Sequence, residues 1–543
     1  MGLPGRIVAA AVTFLAGTAA FAREGQVLAF RHAALDLPGA PAAIVSADLD
    51  GDGRKDLLVV VAHTDWGSLG EDKIEGLTQV AEVVPALFDR REARAYLATE
   101  SGGYRPAGAP LELPLSVLAV RAGLPGIPVL ALTDEGIERF RFVRDERGER
   151  LALEPLVADP PITAGSATLL GALDFVRDVD GDGTADVMLP ARDGLALYRG
   201  GASGIEAHPA ARIAMPGDAR ASGQRGSRAY PLPEVSDLDG DGIPDLLVHT
   251  DETPPRIFVL KGQGAASFGA PAAVPLGCLG LGRPDGKQSE NEDLEVRELA
   301  FFGDLEGNGR LEAVTRGQID SGAWGLKQAK EPHFRYRFHR VGKDLRIEPS
   351  PYQEIEAVGY PMGSILGTES QSAFRDLDGD GRKDLVTVTL DFSVFQVARV
   401  LATRKFSIGF AFRVWAQDAD GRFREVPDQK LQDRFTFDLN DLRLDRLSEI
   451  AGDLDGDGKL DFVRLGGGKT VEVRRGGPGC RFSPKADLAF ELEEELADMS
   501  QVRIRDIDGD GRADLSLVRA IPQPEAGVSP PVRLDLYLSG GTR

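Results

Sequence analysis

Six short apolar runs, rich in β-branched residues, each stand directly behind a stretch of alternating Asp and Gly. They are residues 57–61 (Leu-Leu-Val-Val-Val), 187–189 (Val-Met-Leu), 246–248 (Leu-Leu-Val), 385–388 (Leu-Val-Thr-Val), 462–463 (Phe-Val) and 515–518 (Leu-Ser-Leu-Val). Runs this short, bounded by turn-forming residues, predict buried strands. A few residues ahead of each polar stretch, such as 44–47 (Ile-Val-Ser-Ala), predict the other arm of a β-hairpin. A third strand ending in a glycine turn follows, as at 195–201, 256–262 and 534–540, and then a more polar fourth strand, as at 210–216.

The polar stretches share one nine-residue pattern, Asp-x-Asp-Gly-Asp-Gly-x-x-Asp, beginning at Asp48, Asp178, Asp237, Asp376, Asp453 and Asp506. Carboxylates at positions 1, 3, 5 and 9, with glycine at position 6 to turn the chain back, wrap hard oxygen ligands around one point. Four carboxylates in nine residues repel one another, and six copies of that cost imply a cation that offsets it. Calcium suits such a flexible oxygen cage better than magnesium, which keeps a tight octahedron and several waters. The expected ligands are Asp48, Asp50, Asp52 and Asp56; Asp178, Asp180, Asp182 and Asp186; Asp237, Asp239, Asp241 and Asp245; Asp376, Asp378, Asp380 and Asp384; Asp453, Asp455, Asp457 and Asp461; and Asp506, Asp508, Asp510 and Asp514. The position-7 carbonyls of Arg54, Thr184, Ile243, Arg382, Lys459 and Arg512 would add one backbone oxygen each. An EF-hand reading fails, because position 12 is Val59, Leu189, Val248, Thr387, Arg464 or Leu517 and strands flank the loop.

Two further copies have decayed. Asp304, Glu306, Asn308, Arg310 and Glu312 keep oxygen at every ligand position in altered types, which predicts a weaker seventh site. The stretch 121–129 has lost all four carboxylates and should bind nothing, although Gly126 and the strand 129–132 persist. With both, eight units start near residues 48, 121, 178, 237, 304, 376, 453 and 506, spaced 53 to 77 residues apart. That spacing fits a four-stranded propeller blade with room for loops. The last unit stops after its third strand, and residues 26–38 look like its missing fourth. The expected fold is therefore all-β, an eight-bladed β-propeller of four-stranded blades closed by the N-terminal strand, with seven blades as the alternative.

These units resemble FG-GAP/VCBS repeats, the calcium-loop blades of integrin α-subunit heads and of many bacterial secreted proteins. The resemblance implies a propeller with calcium on the hairpin between a blade's first two strands. It implies no single activity, because function sits in sites grafted onto the fold.

Residues 1–22 read as a secretory signal, with Arg6, an apolar run from Ile7 to about Thr18, and Ala20-Phe-Ala22 as a cleavage site, leaving 23–543 as one propeller domain. The run is shorter than a membrane span needs, so the expectation is an exported protein without membrane insertion, in the periplasm, outside the cell or at its surface. Formal charge is −22. Much of that acidity belongs to the loops, and with no basic stripe or stacking-aromatic motif nucleic acid is not an expected partner. Cys278 and Cys480 fall in distant units, which argues against a disulfide.

Six histidines occur, His32, His63, His208, His249, His333 and His339, and no catalytic motif surrounds them. Chain length outside the repeats lies mostly in insertions between second and third strands, at 62–90, 316–333 and 389–410. These should emerge on the face opposite the Asp loops, carrying Trp66 and Trp324 as candidate ligand contacts and a short helix near 77–88. The primary expectation is a non-enzymatic calcium-binding module that recognises a protein or glycan on that face. The alternative is a carbohydrate-active enzyme of the polysaccharide-lyase type, with Arg90, Arg91, Lys327, Lys330 and His333 gathered at the opening. A third is a structural surface protein that pairs with itself.

Overall fold

In a computed structural model, every residue of the strand Asp56–His63 is buried, and alternate side chains serve different neighbours. Leu58 and Val60 pack with Ala119's neighbours Val117 and Val120 on one side, while Leu57, Val59 and Val61 pack against Leu35, Leu534 and Leu536 on the other. A strand sandwiched in this way must be apolar on both faces, which is why these runs read as unbroken hydrophobic stretches.

The structure describes residues 18–19, 28–63, 90–124, 126–160, 174–191, 194–202, 204–214, 219–222, 225–228, 233–250, 255–282, 295–319, 330–361, 373–391, 405–438, 443–444, 447–466, 469–494, 501–520 and 532–542. The chain is all-β, with a short 3₁₀ turn at Leu276–Leu279. Among the described residues antiparallel units built on about four strands each follow one another, the sixth widened to a six-stranded sheet because Tyr360–Pro361 and Phe374–Arg375 both pair with Asp384–Asp391. Unit 1 comprises Ala40–Ala47, Asp56–His63, Arg90–Ala98 and Tyr104–Leu113, and unit 2 comprises Val117–Leu124, Ile127–Thr133, Gly136–Asp145 and Gly148–Val157. A single parallel pairing, Arg150 with Ala109, joins these two at their outer strands into an eight-stranded sheet. The second strands of the later units are Asp186–Ala191, Asp245–His249, Glu312–Ile319, Asp384–Asp391, Phe462–Gly466 and Asp514–Ala520.

Unit 8 is completed from the other end of the chain. Leu28–Leu37 pairs antiparallel with Val532–Thr542, from Leu28 opposite Thr542 to Leu37 opposite Val532. Thr18–Ala19 adds a short pairing to its outer edge; the rest of the expected signal segment lies outside the described residues.

Packing between units runs in a cycle. Successive hydrophobic clusters join units 1 and 2, 2 and 3, 3 and 4, 4 and 5, 5 and 6, then 6, 7 and 8, and finally 8 and 1. Trp415 is 1% exposed and belongs to the cluster between units 5 and 6. Arginines just before three of the Asp loops reinforce the cycle by donating to the first strand of the next unit or the residues leading into it. Arg177 reaches the Pro233 carbonyl (3.1 Å), Arg375 that of Ile450 (3.0 Å) and Arg505 that of Ile44 (3.2 Å), the last one across the junction of the two chain ends.

Trp66, Trp324, Lys327, the 77–88 segment and the centres of the three insertions lie outside the described residues. Arg91 is not at an opening: it is 1% exposed, and its guanidinium donates to the carbonyls of Val117 (2.8 Å) and Pro114 (3.3 Å) between units 1 and 2. The cysteines are both free, Cys278 exposed and Cys480 buried.

Candidate metal centres

The position-1 aspartate is the local organiser of each loop. Asp48 Oδ1 accepts the N–H of Gly51 (2.8 Å) and Asp52 (3.1 Å), and Oδ2 accepts that of Gly53 (2.9 Å). The same bonds recur at Asp376, Asp453 and Asp237, and in part at Asp178 and Asp506. For its N–H groups to converge on one carboxylate the backbone must turn left-handed at both glycines, Gly51 at φ 81° and Gly53 at φ 86°, so position 4 needs glycine as much as position 6 does. The sequence carried that signal in every loop.

Position 9 does more than offer oxygen to a metal. Asp56 is fully buried, its Oδ2 accepting Leu49 N–H (2.8 Å) and its Oδ1 accepting Ala98 N–H (2.7 Å). Asp186, Asp245, Asp384, Asp461 and Asp514 repeat this, clamping the hairpin to the end of the third strand through Gly200, Gly262, Gln417, Gly476 and Ser539. Sequence reasoning read those glycines only as turns. Burial pushes the carboxyls of Asp56, Asp186 and Asp245 upward, and those of Asp384 to about 6 and Asp461 and Asp514 to about 7, only partly offset by the backbone donors.

Position 3 is held at one oxygen and, in several loops, orphaned at the other. A basic side chain meets this carboxylate in five loops: Arg144 on Asp50 (3.1 Å), Arg199 on Asp180 (2.8 Å), Lys261 on Asp239 (2.7 Å), Arg475 on Asp455 (3.1 Å) and Arg31 on Asp508 (3.2 Å). The opposite oxygens of Asp50, Asp239 and Asp508 are buried without a hydrogen-bond partner. Such an atom is costly unless something else binds it. Ligand atoms of Asp48, Asp50 and Asp56 lie within 4.8 Å of one another, as do those of Asp178, Asp180 and Asp186 and of Asp237, Asp239 and Asp245. This all-oxygen set, with orphaned buried carboxylate oxygens facing inward, fits a hard divalent cation.

Loop 5 keeps the shape with altered chemistry. Asp304 accepts the N–H groups of Asn308 (3.1 Å) and Gly309 (2.8 Å), but the Asn308 amide donates to Glu306 (2.7 Å), supplying hydrogen where the intact loops have a second carboxylate. Glu312 is buried and pushed up to about 8, chiefly by desolvation. In unit 2 the loop is gone, and Leu124 pairs directly with Ile127.

Loops touch in sequence. A Cβ added to Gly307 would come 2.2 Å from the Gly381 carbonyl, one on Gly379 2.4 Å from that of Gly458, and one on Gly509 3.2 Å from Lys55. Gly181 similarly abuts Pro244, Gly309 abuts Gly240, and Gly456 abuts Arg512, so loops 3 to 8 and loop 1 form a continuous belt. The belt is interrupted at unit 2: Gly51 meets nothing within 4 Å. A cleft lined by Asp48, Asp50, Lys55, Arg139 and Arg141 opens there, and a second, lined by Lys261, Glu306, Arg310, Glu312 and Arg340, opens beside the other decayed unit.

A pH dependence follows for the metal-free chain. The buried carboxyls of Asp384, Asp461 and Asp514 hold their protons to about pH 6–7 when folded and release them near pH ~4 when unfolded, and those of Asp56, Asp186 and Asp245 shift in the same direction. Raised folded values contribute stability that is complete below the unfolded value and is lost as pH rises through the folded one. With chelator, the melting temperature at pH 5 should therefore exceed that at pH 8; with saturating calcium, which favours the ionised form, the order should vanish or reverse. Thermal melts at the two pH values, with and without metal, check this.

Residues 453–516, which contain loops 7 and 8, match the FG-GAP-like repeat family. No curated protein matches the chain significantly. Among solved structures, similarity is found to a Photorhabdus luminescens Tc holotoxin pore at 12% identity and a TM-score of 0.20, covering 94% of this chain and 27% of that one. It is also found to the exotype rhamnogalacturonan lyase YesX (12% identity, 94% and 73% of the two chains, TM-score 0.19) and to the rhamnogalacturonan lyase YesW (12%, 94% and 72%, 0.17). At these TM-scores neither fold nor activity carries across. No helix among the described residues is long and apolar enough to cross a membrane.

Proposed function

We propose that this chain, which carries an FG-GAP-like repeat at 453–516, is an exported calcium-binding β-propeller of eight blades that serves as a protein- or glycan-binding module. The observation that carries the reading is the cyclic packing of the successive units, with the Asp loops at matching hairpins and buried position-3 carboxylate oxygens without a hydrogen-bond partner at Asp50, Asp239, Asp378 and Asp508. In this reading calcium has a structural role. It neutralises loops that otherwise bury charge, holds each hairpin to its third strand, and stiffens the belt.

The ligand is received by loops displayed on the rigid ring, with Trp66 and Trp324 on the insertion-rich face as contacts. Two buried ionisable groups outside the Asp loops bridge neighbouring strands or segments. His32 lies between Glu493 and Asp535 at 3.0 Å from each, and Arg337 forms a two-pronged pair with Glu295 (2.7 and 2.8 Å).

A glycan array probed with calcium-loaded protein, run beside an absorbance assay for uronate elimination, tests the proposal. Binding without turnover is expected, and it should be lost in Trp66→Ala or Trp324→Ala. Turnover of a polyuronate would overturn the module reading, and binding that survives both substitutions would overturn the assigned face.

A further inference from the structure

Asparagine is scarce in this chain: three occur in 543 residues, Asn291, Asn308 and Asn440, and of these Asn308 alone is followed by glycine. That one Asn-Gly pair falls at positions 5 and 6 of loop 5, where every intact loop has Asp-Gly. With no Cβ beside it, the backbone nitrogen of such a glycine is unhindered and can close a succinimide ring onto the carbonyl carbon of the asparagine side chain. Asn308 is exposed, and Gly309 turns left-handed at φ 74°.

The turn supplies a partner for each participant in that reaction. Gly309 N–H, whose nitrogen is the nucleophile, donates to Asp304 Oδ2 (2.8 Å), a carboxylate able to receive its proton. The Asn308 carbonyl oxygen, where negative charge develops during attack, accepts Arg310 N–H (2.9 Å). The departing amide nitrogen donates to Glu306 Oε2 (2.7 Å), and the backbone N–H of Asn308 is anchored on Asp304 Oδ1 (3.1 Å). The product also fits. In intact loop 1 the same backbone bond runs from Arg54 N–H to the position-5 carboxylate of Asp52 at 2.9 Å, so an acid in place of the amide preserves the turn.

We propose that Asn308 is a self-modification site, at which loop 5 converts its own side-chain amide into a carboxylate and acquires the fourth acid that the intact loops encode. Ring closure forms the bond from Gly309 nitrogen to Asn308 Cγ and passes the N–H proton to Asp304. Collapse breaks the Cγ–Nδ2 bond, and the nitrogen leaves with that proton as ammonia. Water then opens the imide between Cγ and the Gly309 nitrogen, restoring the peptide N–H and leaving aspartate at position 308. The conversion itself needs no metal; its consequence, a seventh complete carboxylate set, rests on reading the Asp loops as calcium sites. Before conversion the Asn308 amide satisfies Glu306, whereas afterwards two carboxylates face each other and a cation offsets their repulsion.

The test follows the full-length protein from fresh purification through ageing without calcium at mildly alkaline pH, below its melting transition. Trypsin releases residues 298–310 as one peptide, whose mass should rise by the amide-to-acid difference about 10-fold faster in the folded chain than in the same synthetic peptide. Conversion slower than in the free peptide overturns the proposal, as does isoaspartate as the main product, detected with an isoaspartate methyltransferase. Calorimetric calcium titration should count one more ion in the aged protein and in Asn308→Asp than in fresh protein or in aged Asn308→Gln, whose longer side chain closes the ring poorly. Equal, non-zero counts in all four samples overturn the gain of a site. Fresh protein that binds no calcium at any loop defeats the calcium reading alone, because the mass change is measured without metal.

Discussion

In a calcium chelator the protein is expected to melt on the order of 7 °C below its melting point in ~1 mM calcium. For a site with Kd ~0.1 mM at that concentration, linkage supplies about 1.4 kcal/mol, and six such sites supply roughly 8 kcal/mol. Set against an unfolding entropy of about 2.1 cal/mol/K per residue over the ring, this gives the stated shift. It is comparable with the whole net stability of an ordinary domain, which is about 5–15 kcal/mol. The structure adds a reason for cooperativity: loop 6 abuts loop 7 at Gly379 and Gly458, and loop 7 abuts loop 8 at Gly456 and Arg512. Ordering one loop therefore braces the next. Calorimetry with and without chelator measures the effect, and superimposable melts would sink the structural role of calcium. Magnesium at the same concentration should restore little of the loss, because it keeps a tight octahedron and several waters rather than filling a flexible oxygen cage.

The second large effect concerns the strand Leu28–Leu37. Removing it exposes the whole edge of Val532–Thr542 and uncovers the cluster that joins units 8 and 1. Phe30, Leu35 and Leu37 are 7%, 3% and 1% exposed, and their lost burial alone amounts to roughly 5 to 9 kcal/mol. Phe30 also stacks on Phe490 of unit 7 at 4.5 Å, and loss of His32 leaves Asp535, 2% exposed at its side chain, without one of its hydrogen-bond partners. The truncated chain should melt at least as far below the intact one as the calcium-free protein does, and it should self-associate through the open edge. Leu35→Ala is a milder version, costing about 2–5 kcal/mol without removing backbone pairing. A truncation with unchanged melting and unchanged light scattering would show that closure is not what holds the ring.

Much of this architecture was legible because its signals are local. A loop that must wrap oxygens at positions 1, 3, 5 and 9 leaves little choice of residue, and a strand buried on both faces must be apolar throughout, as in Asp56–His63. The closing role of Leu28–Leu37 followed from counting strands. What stayed hidden depends on partners far away in sequence. Nothing near Asp50 announces that Arg144, in unit 2, will hold it, or that Arg31 will hold Asp508. Arg91, Lys330 and His333 looked like candidates for one basic cluster, yet Arg91 is consumed by carbonyls at the junction of units 1 and 2. Cys480 gave no sign of its surroundings, because Asp378 lies 101 positions from the Gly479 that brings it into place.

The pairing of Leu28 with Thr542 also bears on how the molecule is made. Contacts between residues some five hundred positions apart close among the longest loops this chain can form, and such non-local pairings are reached slowly. Seven units can assemble from neighbours, each hairpin nucleating beside the last, while the eighth waits for both ends to meet. During that interval Val532–Thr542 presents an unpaired edge, so the yield of native protein should depend on chain concentration more steeply than its final stability suggests. Refolding at high dilution should reduce association during that interval, and joining the two ends by a short linker should shorten it.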